Sequence, residues 1–144
     1  MCSLRAHPFF AMLQYPSKIL IAFGETFSEE DGAFQKWLLE SEYRELAALS
    51  SAIRGSYEAR DWLLKNKFPE LAALDSAIDE QQEAFVWLKK FGYDFLIVFA
   101  NAIMGKKEAI QWLKHNQLDL FVRLAEQIKN FRDNQTFDYH KLHF

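Results

Sequence analysis

The stretch Glu83-Ala84-Phe85-Val86-Trp87-Leu88 has a counterpart 25 residues earlier, Glu58-Ala59-Arg60-Asp61-Trp62-Leu63, and another 25 residues later, Glu108-Ala109-Ile110-Gln111-Trp112-Leu113. One further period back stands Phe34-Gln35-Lys36-Trp37-Leu38, with Phe34 where the later units have alanine. These are the only four tryptophans in the chain. A fixed period of this size marks stacked supersecondary units, each unable to bury its apolar face alone.

Working outward from each tryptophan, the register holds over residues 31–130. Six places on come Tyr43, Phe68, Tyr93 and Leu118, and nine on come Leu46, Leu71, Leu96 and Phe121. Twelve on come Leu49, Leu74, Phe99 and Leu124, and sixteen on come Ile53, Ile78, Ile103 and Ile128. Ala, Trp and Leu at −3, 0 and +1 form one face of a first helix. The positions +9, +12, +13 and +16 form the face of a second. Pro69 suits the opening turn of a second helix, and Gly55 and Gly105 sit where a left-handed cap ends one. Each unit therefore reads as a hairpin of two short helices. Helices this short are marginal alone, so stacking must stabilise them.

The units fall at 31–55, 56–80, 81–105 and 106–130, within one domain spanning 1–144. A degenerate copy precedes them at 5–30, where Phe9 to Phe23 aligns with Phe85 to Phe99 and Ala11 takes the tryptophan place. Phe137 falls on the next tryptophan place, so 131–144 is expected to form a capping tail with a partial sixth helix. In the second helices Ala47, Ala48, Ala72 and Ala73 flank the large apolar residues. Small side chains let backbones approach, which places this helix on the inner side of a curved stack and the Trp helix outside. The tryptophans themselves read as core between units.

Composition agrees with one folded all-α domain. Half of the 144 residues are hydrophobic and 26% are charged, with only 5 glycines and 3 prolines. The single cysteine, Cys2, permits no internal disulfide and fits a reducing compartment. No apolar run is long enough to cross a bilayer and no signal peptide is visible, so the expected location is cytoplasmic. The net charge of −3 weighs against general nucleic-acid binding. It is uneven, with 13 acids against 8 bases up to residue 80 and 5 against 7 from residue 106.

The run Ala48-Leu49-Ser50-Ser51-Ala52-Ile53-Arg54-Gly55-Ser56-Tyr57-Glu58-Ala59-Arg60-Asp61-Trp62-Leu63-Leu64 resembles the helical part of an ankyrin repeat. The likeness recurs at Phe99–Leu113 with Gly105, and more loosely at Leu74–Leu88, where Glu80 replaces the glycine. The Thr-Pro-Leu-His opening is missing, and 25 residues leave no room for the β-hairpin finger of a repeat of ~33. The resemblance implies a right-handed α-solenoid of about five hairpins plus a C-terminal partial helix. It also implies a protein-binding scaffold that uses its inner helices.

Residues with chemistry to offer are few. Asp138, His140 and His143 could supply metal ligands, but three groups at this spacing fall short of a metal motif, and no metal site or cofactor is expected. No catalytic triad or phosphate loop is suggested. Glu58, Glu83 and Glu108 recur with the period, which marks a structural place in the first turn of each Trp helix. More informative are positions that vary while the frame stays fixed. On the second helices these are Arg44, Ser51, Arg54, Asp79, Asp94, Asn101 and Met104, which form a polar stripe a partner could read. The expected function is a non-catalytic protein-interaction module with an unknown protein partner, no membrane and no nucleic acid. One alternative is a self-associating structural protein, a homodimer for example, using the apolar third Trp unit at Phe85-Val86 and Phe95 to Phe99. Another is an enzyme or nucleic-acid binder using the basic end at Lys106, Lys107, Lys114, Arg123, Lys129 and Arg132. Those bases are interrupted by Glu108, Asp119 and Glu126.

Overall fold

The computed structural model describes residues 11–28 and 31–142, with side chains through residue 135. Among them it holds nine helices and no strand. In chain order these are α1 (Ser17–Glu25), α2 (Ala33–Glu40), α3 (Arg44–Ile53), α4 (Tyr57–Lys65), α5 (Pro69–Ile78), α6 (Gln82–Lys90), α7 (Asp94–Ile103), α8 (Lys107–His115) and α9 (Asp119–Leu142). The tryptophans lie on α2, α4, α6 and α8. Each of these helices packs on the second helix of its own unit and on that of the unit before. The chain is all-α, and its packing is that of a helical repeat.

Two turns recur, and each has a local cause. After a Trp helix, Lys67, Gly92 and Gln117 adopt left-handed backbone at φ of 69°, 80° and 59°. The next residue then returns its N–H to the carbonyl of the Trp-Leu leucine: Phe68 to Leu63, Tyr93 to Leu88 and Leu118 to Leu113, all at 2.8 Å. After a second helix, Gly55 and Gly105 take φ of 105° and 86°, as their cap positions require. Glu80 takes the same conformation at φ 64° without being glycine.

No turn interrupts α9. Asn130 occupies the place of Gly55 and Gly105 but lies inside the helix, which runs on to Leu142. The register would open a new unit at 131, and here the helix simply continues. The reason is that its next turn finds partners. Phe131 lies 5.6 Å from the Phe27 ring, and Arg132 ion-pairs with Asp79 at 2.9 Å.

The second helices form the inner layer and touch in cyclic order. α1 packs on α3, α3 on α5, α5 on α7 and α7 on α9, and α9 packs back on α1. No two Trp helices pack closely backbone to backbone. The join between α1 and α9 needs Gly24. A Cβ there would collide with the Gln127 amide oxygen and would stand 2.7 Å from Leu124 Cδ2. Across the same join Glu25 meets Arg123 at 3.6 Å and Gln127 at 3.4 Å.

The core is one cluster built from the periodic positions. Leu46, Leu71, Leu96, Leu49, Leu74 and Phe99 are all fully or almost fully buried, as are Phe23 and Phe95. In the Trp-Leu pairs the structure corrects the sequence reading. Leu38, Leu63, Leu88 and Leu113 are each 0% exposed, whereas Trp37 and Trp112 are 41% and 37% exposed. Trp62 and Trp87 are half-buried. Alanine at −3 and leucine at +1 are four apart and share the inward face. Tryptophan sits round the edge, where Trp62 stacks on Phe68 and Trp87 on Tyr93 at interplanar angles of 6° and 9°. The apolar run of the third unit is mostly core too, leaving Val86 and Phe91 exposed.

Candidate functional site

The spaces between successive Trp helices form grooves whose floors are the small residues of the inner helices. Between α2 and α4 the floor is Ala47, Ala48 and Ser51, with Gln35, Leu39, Glu58 and Trp62 as walls. Between α4 and α6 the floor is Ala72, Ala73 and Ser76, beneath Tyr57, Arg60 and Leu64 on one side and Glu83, Ala84 and Trp87 on the other. This second groove holds about 560 Å³. The alanine stripe therefore does two things. Ala52, Ala77 and Ala102 are buried in the inner layer, while the alanines one turn earlier pave the outer grooves.

At its end the α4–α6 groove opens into a polar cleft of about 350 Å³ at the C-terminal ends of α3 and α5. Tyr57, Arg60 and Asp79 line both spaces. Arg54, Arg132, Asp133 and Gln135 complete the cleft. Its charges are mostly paired. Arg60 donates to Asp75 Oδ2 through Nη2 at 2.6 Å and Nε at 3.1 Å. Arg132 meets Asp79 at 2.9 Å and reaches the Ile78 carbonyl at 3.5 Å, and Lys129 meets Asp133 at 2.8 Å. Arg54 is the exception. Its guanidinium lies 5.0 Å from the Phe131 ring and 5.7 Å from that of Phe27, and it has no carboxylate partner among the described residues.

Two polar environments are shaped by burial. The Asp75 side chain is 2% exposed, and burial pushes its carboxyl above the usual range against the opposing pull of Arg60. The hydrogen bond from Arg60 holds that guanidinium firmly protonated in turn. At the opposite ends of the inner helices, Tyr15 donates to Glu45 Oε2 at 2.8 Å, and burial with this neighbouring carboxylate drives the phenol strongly up. Burial also raises Glu70, helped by the charge on Glu45.

The stripe expected from the sequence is divided among several places. Arg54 and Asp79 both line the polar cleft without pairing. Arg44 and Ser51 share the α2–α4 groove, where Arg44 lies 5.9 Å from the Trp62 ring and Ser51 accepts from Gln35 at 2.8 Å. Asp94 pairs loosely with Lys89 at 3.5 Å, Asn101 keeps a buried Oδ1 without a partner, and Met104 is half-buried. These last three line none of the cavities just described. Arg60 and Asp75 were not singled out by the sequence, although both carry a signal, and Arg132 entered it only as part of the basic end. At −2 from tryptophan the later units have Phe85 and Ile110 where Arg60 stands, and Asp75 stands where other units have Ser50, Ala100 and Ala125. Two residues that leave the register in one unit are the pair that meets.

Among the described residues no group of three metal-ligating side chains comes together, and no helix is long and apolar enough to cross a membrane. His143 and Cys2 lie outside the described residues, as do the side chains of Asp138 and His140. No family model matches the chain, and neither the curated proteins nor the solved structures compared with it show a match.

Proposed function

We propose that this chain is a non-catalytic protein-binding module of the cytoplasm, reading its partner in the outer groove between α4 and α6. In this reading the array is five hairpins of right-handed winding, and its closed inner layer serves as a rigid frame. The observation that supports it is the groove itself: a floor of Ala72, Ala73 and Ser76 under the wall of Trp87 and Leu64. A floor without bulky side chains admits those of a visitor, and a half-buried indole offers apolar area with little conformational freedom to lose.

The reading is tested by placing a photo-crosslinking side chain at Ala73 and, as a control, at Asn130, which is exposed on α9. Specific protein adducts are expected from position 73 alone, and Ala73→Trp should abolish capture by unmodified chain while leaving the melting curve in place. Equal adducts from both positions, or capture indifferent to Ala73→Trp, would count against it.

A further inference from the structure

We propose that the polar cleft is the acidic-residue subsite of this groove, taking one carboxylate from the partner segment that lies between α4 and α6. The inference rests on the groove reading and adds the chemistry of the partner. Its basis is the charge count at the cleft. Arg60, Arg132 and Lys129 each have a carboxylate at 2.6–2.9 Å, so their charge is answered from within. Among the described residues the guanidinium of Arg54 is answered only by ring faces. Aromatic faces hold the plane of a guanidinium without engaging its in-plane N–H donors, which leaves the fork available for a carboxylate.

The cleft is continuous with the groove, since Tyr57, Arg60 and Asp79 line both. A segment whose apolar side chains rest on Ala72 and Ala73 therefore has a path to Arg54 without leaving the protein. One unanswered positive charge suits a single carboxylate, from Asp, Glu or a chain terminus. Asp79 and Asp133 line the same space, and they would repel a dianion more strongly than a monoanion.

The test uses short random peptides displayed on phage and selected against the whole chain. Selected peptides should share an acidic residue at a fixed distance from an apolar one. Their synthetic versions should lose about tenfold in affinity with Arg54→Gln, the scale of a hydrogen bond to a charged group, and weaken as salt rises. Selection against Arg54→Glu should replace the acidic residue with a basic one at the same place, a switch that mere loss of folding cannot produce. Peptides abolished by Ala73→Trp but indifferent to Arg54→Gln would overturn the carboxylate subsite and leave the groove reading intact. Peptides indifferent to both changes, or no enrichment at all, would overturn both.

Discussion

Arg60 and Asp75 show how much one buried charge depends on its partner. The Asp75 side chain is 2% exposed and that of Arg60 is 32%, so the two ends of the bridge are not equivalent. Arg60→Ala strands a carboxylate in the interior and is expected to cost about 3 kcal/mol or more at neutral pH. Asp75→Asn strands only a guanidinium that can turn toward water, so its cost should be smaller. The pH dependence has a definite sign. Because burial holds Asp75 above its unfolded value, its contribution is fully present below the ordinary carboxylate range and is lost as pH rises through the raised value. Without Arg60 that loss should steepen, so the penalty of Arg60→Ala shrinks toward roughly pH 4, the unperturbed Asp region. Urea unfolding of both variants across this range measures it, and a penalty that ignored pH would show that Asp75 is not the stranded group. This pair was legible in principle, since Asp75 is the one charge in a register otherwise small, and Arg60 is the one charge in a register that otherwise holds Gln35, Phe85 and Ile110. What the sequence could not say was that the two breaks face each other.

The hairpins repeat because their turns repeat, and the turns differ in quality. Gly55 and Gly105 accept left-handed backbone freely, whereas Glu80 and Gln117 adopt it at φ 64° and 59° with a Cβ in the way. The steric penalty is about 1–2 kcal/mol, and glycine's extra freedom in the unfolded chain returns about half of that. Glu80→Gly and Gln117→Gly are therefore each expected to stabilise the fold by about 0.5–1 kcal/mol, raising Tm by roughly 2–3 °C in calorimetry. Gly105→Ala should go the other way, since its Cβ would also stand 3.0 Å from Lys129 Cε. The register places every one of these turns, Glu80 standing where Gly55 and Gly105 do, but nothing in the residue types Lys67, Glu80 and Gln117 announces a positive φ. The same limit applied to Trp and Leu at adjacent places on one helix. Periodicity marks the face they share, and only packing decides that the leucine turns in and the indole lies along the groove.

Closure of the inner layer had no signature in any single unit. It depends on the small rotation each hairpin adds to the last, and the sum becomes visible only where α9 meets α1. Gly24 is the residue that permits the meeting, and a side chain there must displace Leu124 and Gln127. Gly24→Val is expected to cost about 1–3 kcal/mol as an overpacked contact. It should also lengthen and broaden the distance between spin labels at Ile21 and Glu126, measured by pulsed electron resonance, while labels across α3 and α5 keep theirs. A sharp, unchanged distance would mean that the join tolerates the bulk. The candidate site was only partly legible for a related reason. Arg54 and Asp79 leave the register at the same place in consecutive units, but Arg132 reaches their cleft only because α9 runs on past its expected end. The join also sets an order of events during synthesis. Glu25 and Gln127 are 102 residues apart in the chain, so at ribosomal speed α1 waits roughly 5–20 s for the helix that covers it. Through that interval the side chains that α1 will give to the join are open to any passing apolar surface. A nascent chain halted before α9 should therefore be far stickier than the finished one, and it is the incomplete protein, more than the native one, that needs a chaperone.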